Sequence, residues 1–134
     1  MPVAKVRNQK TMQYLFLIYA DGQQPQAISE SGNEAYDRAC LANDQALRER
    51  GYLLFAVRLQ NDGFATTVRV QNGELSLTGG PFSGTEPPLV GIFFVNARDL
   101  NEAIRLASKM PQAQYGAIEV RSAIALFAPS ISAE

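Results

Sequence analysis

Histidine and tryptophan are absent from this 134-residue chain, and cysteine occurs once, as Cys40. Without histidine there is no Ser-His-Asp or Cys-His catalysis, no imidazole acid/base group near neutral pH, and no His-containing zinc or non-haem iron site. One thiol cannot make an intrachain disulfide or a thiolate metal site. Its isolation fits a reducing, cytoplasmic setting, and no metal or other cofactor is expected. Neither charge sign dominates: Lys and Arg number 12 against 13 Asp and Glu, and the basic residues are scattered. The basic stripe of a nucleic-acid binder is therefore missing. No apolar run approaches the roughly 18 residues that span a membrane. Nucleic acid and membrane are both excluded as expected partners. Nucleotide loops of the G-x-x-x-x-G-K-[ST] or G-x-G-x-x-G kind are also lacking.

What remains is ordinary for one globular domain: 46% apolar and 19% charged residues in a length that buries its own core. Met1 to Thr11 is polar and basic, without the apolar stretch of a secretory signal. It reads as a disordered leader or an appended remnant, with Met12 an alternative initiator. The domain is expected over residues 12–128, with a frayed tail over 129–134.

Gln13 to Ala20 is an aromatic and β-branched run of strand length, ended by Asp21-Gly22. Helical spacing follows from Glu34 to Arg50. Tyr36, Ala39, Cys40, Ala46 and Leu47 are expected on the apolar side, with Asp37, Arg38, Asp44 and Arg48 opposite. Ser31 or Asn33 is placed to cap that helix, and Gly51 to end it in the left-handed conformation. On this apolar face Cys40 reads as a buried structural thiol. Leu53 to Gln60, Thr66 to Gln71 and Glu74 to Thr78 read as strands, the last two joined by the tight-turn pair Asn72-Gly73.

Gly79 to Pro88 is a loop by composition, and Leu89 to Val95 an apolar strand. Asp99 with Glu102 marks a helix start. Leu100, Ala103, Ile104 and Ala107 give its apolar stripe, stopped by Pro111. Ala117 to Phe127 is the last strand. The order β-α-β-β-(β)-β-α-β predicts a ferredoxin-like α+β domain, a mainly antiparallel sheet with both helices on one face.

In the last strand Ile118, Val120, Ile124 and Leu126 share a face by period-two alternation and are expected to meet the helices. The segment from Leu89 to Val95 instead puts apolar groups on both sides. Such strands belong to sheets covered on both faces. Two short helices cover one face, so a second copy of the chain is the expected cover for the other.

Several stretches together resemble one family. They are Tyr14 to Asp21, Thr67 to Val70 followed by Thr78-Gly79-Gly80-Pro81-Phe82, Val90 to Val95, and Met110-Pro111 through Tyr115 to Arg121. In order and spacing they resemble the YCII-related, DGPF-type proteins over most of Met12 to Leu126. The resemblance implies a dimeric α+β barrel in which two ferredoxin-like sheets face one another. Some relatives look like small enzymes acting on aromatic ring compounds through a histidine–aspartate pair. Others accompany extracytoplasmic-function sigma factors. The chain departs from the pattern: Gly79 stands at the signature aspartate, Glu86-Pro87 at the usual lysine-glutamate pair, and no histidine matches the dyad.

Candidate site residues each carry two readings. Asp21 is a general base at a barrel mouth, or a turn residue bonding nearby backbone. Glu119 and Arg121, two apart on the non-helical face, hold and protonate an anionic ligand, or join an ion-pair network with Arg58 or Arg69. Tyr19 and Tyr115 offer hydroxyls to a pocket, or pack. The Gly79 to Phe82 loop lids a pocket, or turns with Phe82 as a hydrophobic anchor. The ensemble predicts a homodimer that binds a small anionic or aromatic molecule, with Asp21 or Glu119 as acid/base if it is catalytic. The alternative is a non-catalytic accessory protein that docks another protein.

Overall fold

The computed structural model describes residues 12–20, 34–60, 62–82 and 87–127. The leader, Asp21, Ser31, Asn33, Glu86 and the segment 129–134 lie outside the described residues. The elements run in the order β1 (Met12–Ala20), α1 (Glu34–Glu49), β2 (Leu53–Arg58), a 3-10 turn (Asp62–Phe64), β3 (Thr66–Gln71) and β4 (Glu74–Gly79). There follow β5 (Leu89–Ala97), α2 (Leu100–Ser108), α3 (Gln112–Tyr115) and β6 (Gly116–Ala123).

Strands β2, β5, β1 and β6 lie side by side in that order, and every neighbouring pair is antiparallel. With β3 and β4 set aside as a separate hairpin, this is the ferredoxin-like topology the element order predicted. Both β1-to-β2 and β5-to-β6 connections carry helices back over the same sheet face. There Tyr14, Phe16 and Ile18 of β1 and Phe93, Val95 and Ala97 of β5 pack with Leu47 of α1, Ala103 and Ala107 of α2, and Met110. Phe16 and Val95 are fully buried.

Local chemistry places the ends. Gly51, at φ 85°, closes α1 in a Schellman arrangement. Its N–H donates to Arg48 O at 3.0 Å while Tyr52 N donates to Leu47 O at 2.9 Å. Asn72 and Gly73 both take positive φ, 54° and 79°, the mirror-image turn that matches strand twist in a two-residue hairpin. Asp99 Oδ1 accepts from Glu102 N at 2.9 Å and caps α2. Glu102 itself is buried. It accepts from Arg98 N at 2.7 Å, Arg98 Nη1 at 3.1 Å and the Tyr52 hydroxyl at 3.2 Å.

The structure corrects several expectations. The inward face of α1 consists of Tyr36, Cys40, Asn43, Asp44 and Leu47, whereas Ala39 and Ala46 are exposed. Asp44, expected in solvent, therefore turns toward the sheet, because it sits two helical turns beyond Tyr36. Cys40 is only half-buried and belongs to a cavity wall rather than the core. In α2 the buried side runs through Glu102, Ala103 and Ala107, leaving Leu100 and Ile104 about half exposed. That helix ends at Ser108, before Pro111, which begins α3. β6 stops at Ala123, so Ile124 and Leu126 stand 87% and 86% exposed instead of packing with Ile118 and Val120.

The sheet's other face holds Leu15 and Leu17 of β1, which stand in register with Phe94 and Ile92 of β5. Phe55 and Val57 of β2 continue the row, with Phe55 tilted against Phe94 at 5.8 Å between centroids. The described helices all pack on the opposite side. Phe55 and Val57 each remain 44% exposed.

Candidate functional site

A cavity of about 590 Å³ opens between α1 and the helix-covered face of the sheet. Helix periodicity builds one wall. Tyr36, Cys40 and Asp44 recur at four-residue intervals and stack along one side of α1. Each step advances about 6 Å along the axis, so the polar groups are spread over roughly 12 Å. Strand pleating builds the floor: Ala56 and Arg58 of β2 alternate to this side, opposite Phe93 and Gly91 of β5. Gly91 leaves little room for a side chain there, since a Cβ would stand 3.3 Å from the Val57 carbonyl oxygen. A bulge between Ile18 and Tyr19 brings Val90 into the same wall. The end of the cavity is closed by α3, whose Tyr115 ring meets Tyr36 edge to face at 5.2 Å and 88°.

The electrostatics are uneven. Burial pushes the Asp44 carboxyl up to about 6, and among the described residues its buried Oδ1 has no hydrogen-bond partner. Gln112 Oε1, on the α3 side, is a second buried acceptor without a partner among the described residues. Asn43 Nδ2 is likewise unpartnered but lies outside the cavity wall. The Cys40 thiol is raised by burial and then by Asp44 and Asp37. Its hydrogen bond with Tyr36 and the Arg58 charge oppose that rise. Tyr36 is raised first by burial and next by its bond with Cys40. A raised thiol stays protonated, so Cys40 is a poor nucleophile. Arg58 is the one cationic side chain among the described wall residues. Among the described residues ion pairs join Arg38 to Glu34, Arg98 to Glu102 and Arg121 to Glu119, which leaves Arg58 without a carboxylate partner.

Of the residues singled out by sequence, Arg58 and Tyr115 come together at this cavity, and Tyr19 lines it while its hydroxyl turns to the opposite sheet face. Glu119 and Arg121 do not. They lie exposed on the open sheet face and pair with one another at 3.2 Å, while the Tyr19 hydroxyl reaches Glu119 Oε1 at a long 3.3 Å. Desolvation and then the Glu119 carboxylate raise the Tyr19 phenol. The expected network with Arg58 or Arg69 does not form. Glu119 is on the β6 edge, Arg58 on the β2 edge and the other face, and Arg69 on the hairpin. Arg69 instead lies over the Phe82 ring at 5.4 Å. Phe82 is 74% exposed rather than an anchor in the core. The Gly79–Gly80 backbone ties to the hairpin, with Gly80 N donating to Ala65 O and Thr67 Oγ1 to Gly80 O, each at 2.8 Å.

Sequence reasoning missed Tyr36, Asp44 and Gln112. The first two were legible as a 36-40-44-47 stripe of mixed polarity, a pattern that polar face-sorting obscured. Gln112 left no signal, because it reaches the cavity through the short turn of α3.

A ferredoxin-like α+β domain whose helix–sheet crevice holds a guanidinium and a carboxyl oxygen without partners among the described residues is the class of protein these features define. Residues 12–126 match the YCII-related domain family, and the chain belongs to that family. It is 32% identical over 120 residues to an uncharacterized protein of Rhizobium meliloti (strain 1021), an alignment covering 88% of this chain and 96% of the relative. Among the described residues, no helix is long and apolar enough to cross a membrane.

Proposed function

We propose that the protein is a homodimeric small-molecule-binding domain, taking a compact anionic or aromatic molecule into the crevice between α1 and the sheet. The observation that carries this reading is the cavity itself, about 590 Å³, within the 300–1,000 Å³ typical of ligand sites. Its walls combine apolar and aromatic surface with a few polar groups, the usual make-up of such sites. The dimer rests on the row of Leu15, Leu17, Ile92, Phe94, Phe55 and Val57. Packing that row against its own copy would close a dimeric barrel of the DGPF type in a cytoplasmic protein.

A second reading has its own observation. Val68, Val70, Leu75 and Leu77 share one side of the β3–β4 hairpin, all more than 60% exposed. A protein-docking accessory, as accompanies some sigma factors, would use such a surface.

A thermal-shift screen against aromatic acids and phenols separates the two. A ligand at 100 times its dissociation constant adds about 2.7 kcal/mol, a shift that Arg58→Met should remove. A broad set with no stabiliser leaves the accessory reading. Light scattering tests assembly, and a monomer mass at micromolar concentration ends the dimer proposal.

A further inference from the structure

The cavity wall carries one cationic side chain among the described residues, Arg58, and two carboxylates of α1, Asp37 and Asp44. β2 turns back along α1 after Gly51, with Tyr52 N bonded to Leu47 O, so Arg58 at the far end of β2 lies toward the start of α1 and Asp44 lies nearer the turn. Cys40 lies one helical turn before Asp44 on the same side of α1. The guanidinium has no ion-pair partner among the described residues, and it is a donor only. The cavity-lining atoms left without a partner among the described residues, Asp44 Oδ1 and Gln112 Oε1, are both acceptors. Buried acceptors left unpaired are costly and rare in folded proteins. A ligand that satisfied these groups would carry an anion toward Arg58 and a hydrogen-bond donor toward the orphaned acceptors. Cys40 and Asp44 are separated by one helical turn, about 6 Å, which is the scale of a single substituted ring. The Tyr36–Tyr115 pair and Phe93 offer that ring apolar surface.

Building on the binding reading above, we propose that the cavity selects bipolar molecules, aromatic or similarly flat carboxylates bearing a hydroxyl or amino group opposite the carboxylate. Arg58 holds the carboxylate, and Asp44 with Gln112 accepts from the donor. Asp44 thereby determines specificity, and Arg58 affinity.

Calorimetric titration of the full chain at neutral pH with benzoate, 4-hydroxybenzoate and 4-aminobenzoate tests this. The hydroxyl and amino probes should bind about tenfold more tightly than benzoate, the worth of one hydrogen bond to a charged group. Asp44→Ala should erase that ratio, bringing the three probes to one affinity. Asp44→Asn, which keeps an acceptor oxygen, should restore part of it. Arg58→Met should abolish binding of all three, with far-UV circular dichroism confirming each variant folds. Equal affinities for benzoate and 4-hydroxybenzoate, both lost in Arg58→Met, would overturn the selection by Asp44 while leaving the cavity a binding site. Binding of none of the three overturns the inference too, and the wider ligand screen then decides separately whether the cavity binds anything.

Discussion

The Tyr36 ring stands edge-on to Tyr115, centroids 5.2 Å apart and planes at 88°, so the start of α1 is held against the turn that leads into β6. This contact joins two elements almost 80 positions apart and forms one end of the cavity. An edge-to-face pair contributes about 0.5–1.5 kcal/mol beyond the area it buries. Tyr115→Ala is expected to lower unfolding stability by about 2 kcal/mol, since both rings are partly buried. It should also weaken any cavity ligand. Urea denaturation reads the first effect; a midpoint unchanged from wild type would show that the rings touch without holding α1.

Asp44 makes stability depend on pH with a definite sign. Its folded carboxyl, pushed by burial from 3.8 to about 6, keeps a proton that the unfolded chain has already released. The stabilisation from that proton is fully present below about pH 4 and is lost as pH rises through 6. A fully buried group with this difference would correspond to about 3 kcal/mol, and partial exposure screens it to about 1 kcal/mol. Asp44→Asn should flatten that part of the pH–stability curve and leave the variant more stable at neutral pH. Guanidinium melts from pH 4 to 7 that run parallel for both proteins would contradict the assignment.

Glu102 and Arg98 form an ion pair of unequal partners, the carboxylate 9% and the guanidinium 61% exposed. Replacing the exposed partner costs little, because water screens it. Replacing the buried one strands the Arg98 N–H and the Tyr52 hydroxyl. Glu102→Ala is expected to cost about 2–3 kcal/mol and Arg98→Ala under about 1 kcal/mol. Equal losses in thermal unfolding would place the weight on the charge pair instead of the buried acceptor.

At the hairpin tip, Gly73 sits at φ 79° with open space around it, so only backbone conformation limits substitution. Gly73→Ala should loosen the β3–β4 hairpin by about 1 kcal/mol, read as faster amide exchange across β3 and β4. Asn72→Gly should leave exchange nearly unchanged, as the same turn accepts glycine at both centres.

The open face offers a test of assembly at a single residue. Leu17 lies mid-strand, in register with Ile92 on one side and Glu119 on the other. In the proposed dimer Leu17→Glu buries an unpaired carboxylate, and the mass measured by light scattering should fall to that of one chain. A variant that keeps the doubled mass would move the interface elsewhere, with the exposed hairpin as the next surface to probe.

Much of the architecture was readable before any coordinates. Period-two alternation in Tyr14, Phe16 and Ile18, the Asn72-Gly73 turn, Gly51 as a helix stop and Asp99 as a helix start are local properties. Backbone geometry within a few residues decides them. The two-sided apolar character of β5 follows from the same local pattern. The site was much less legible. Which charges on α1 face inward depends on how the helix is rotated against the sheet, and Leu47, its buried residue, is the point at which it joins the shared core. Asp44 looks like a solvated acid in sequence and becomes a half-buried one only through packing. Likewise Arg58 and Glu119, both plausible partners on paper, end on opposite faces and opposite edges. Strand order is a long-range outcome that no short stretch of residues encodes. Composition and periodicity thus determined the strands, the turns and the absence of histidine chemistry. Tertiary packing alone decided which polar groups meet, because burial and proximity belong to the assembled sheet and helices and not to any one segment.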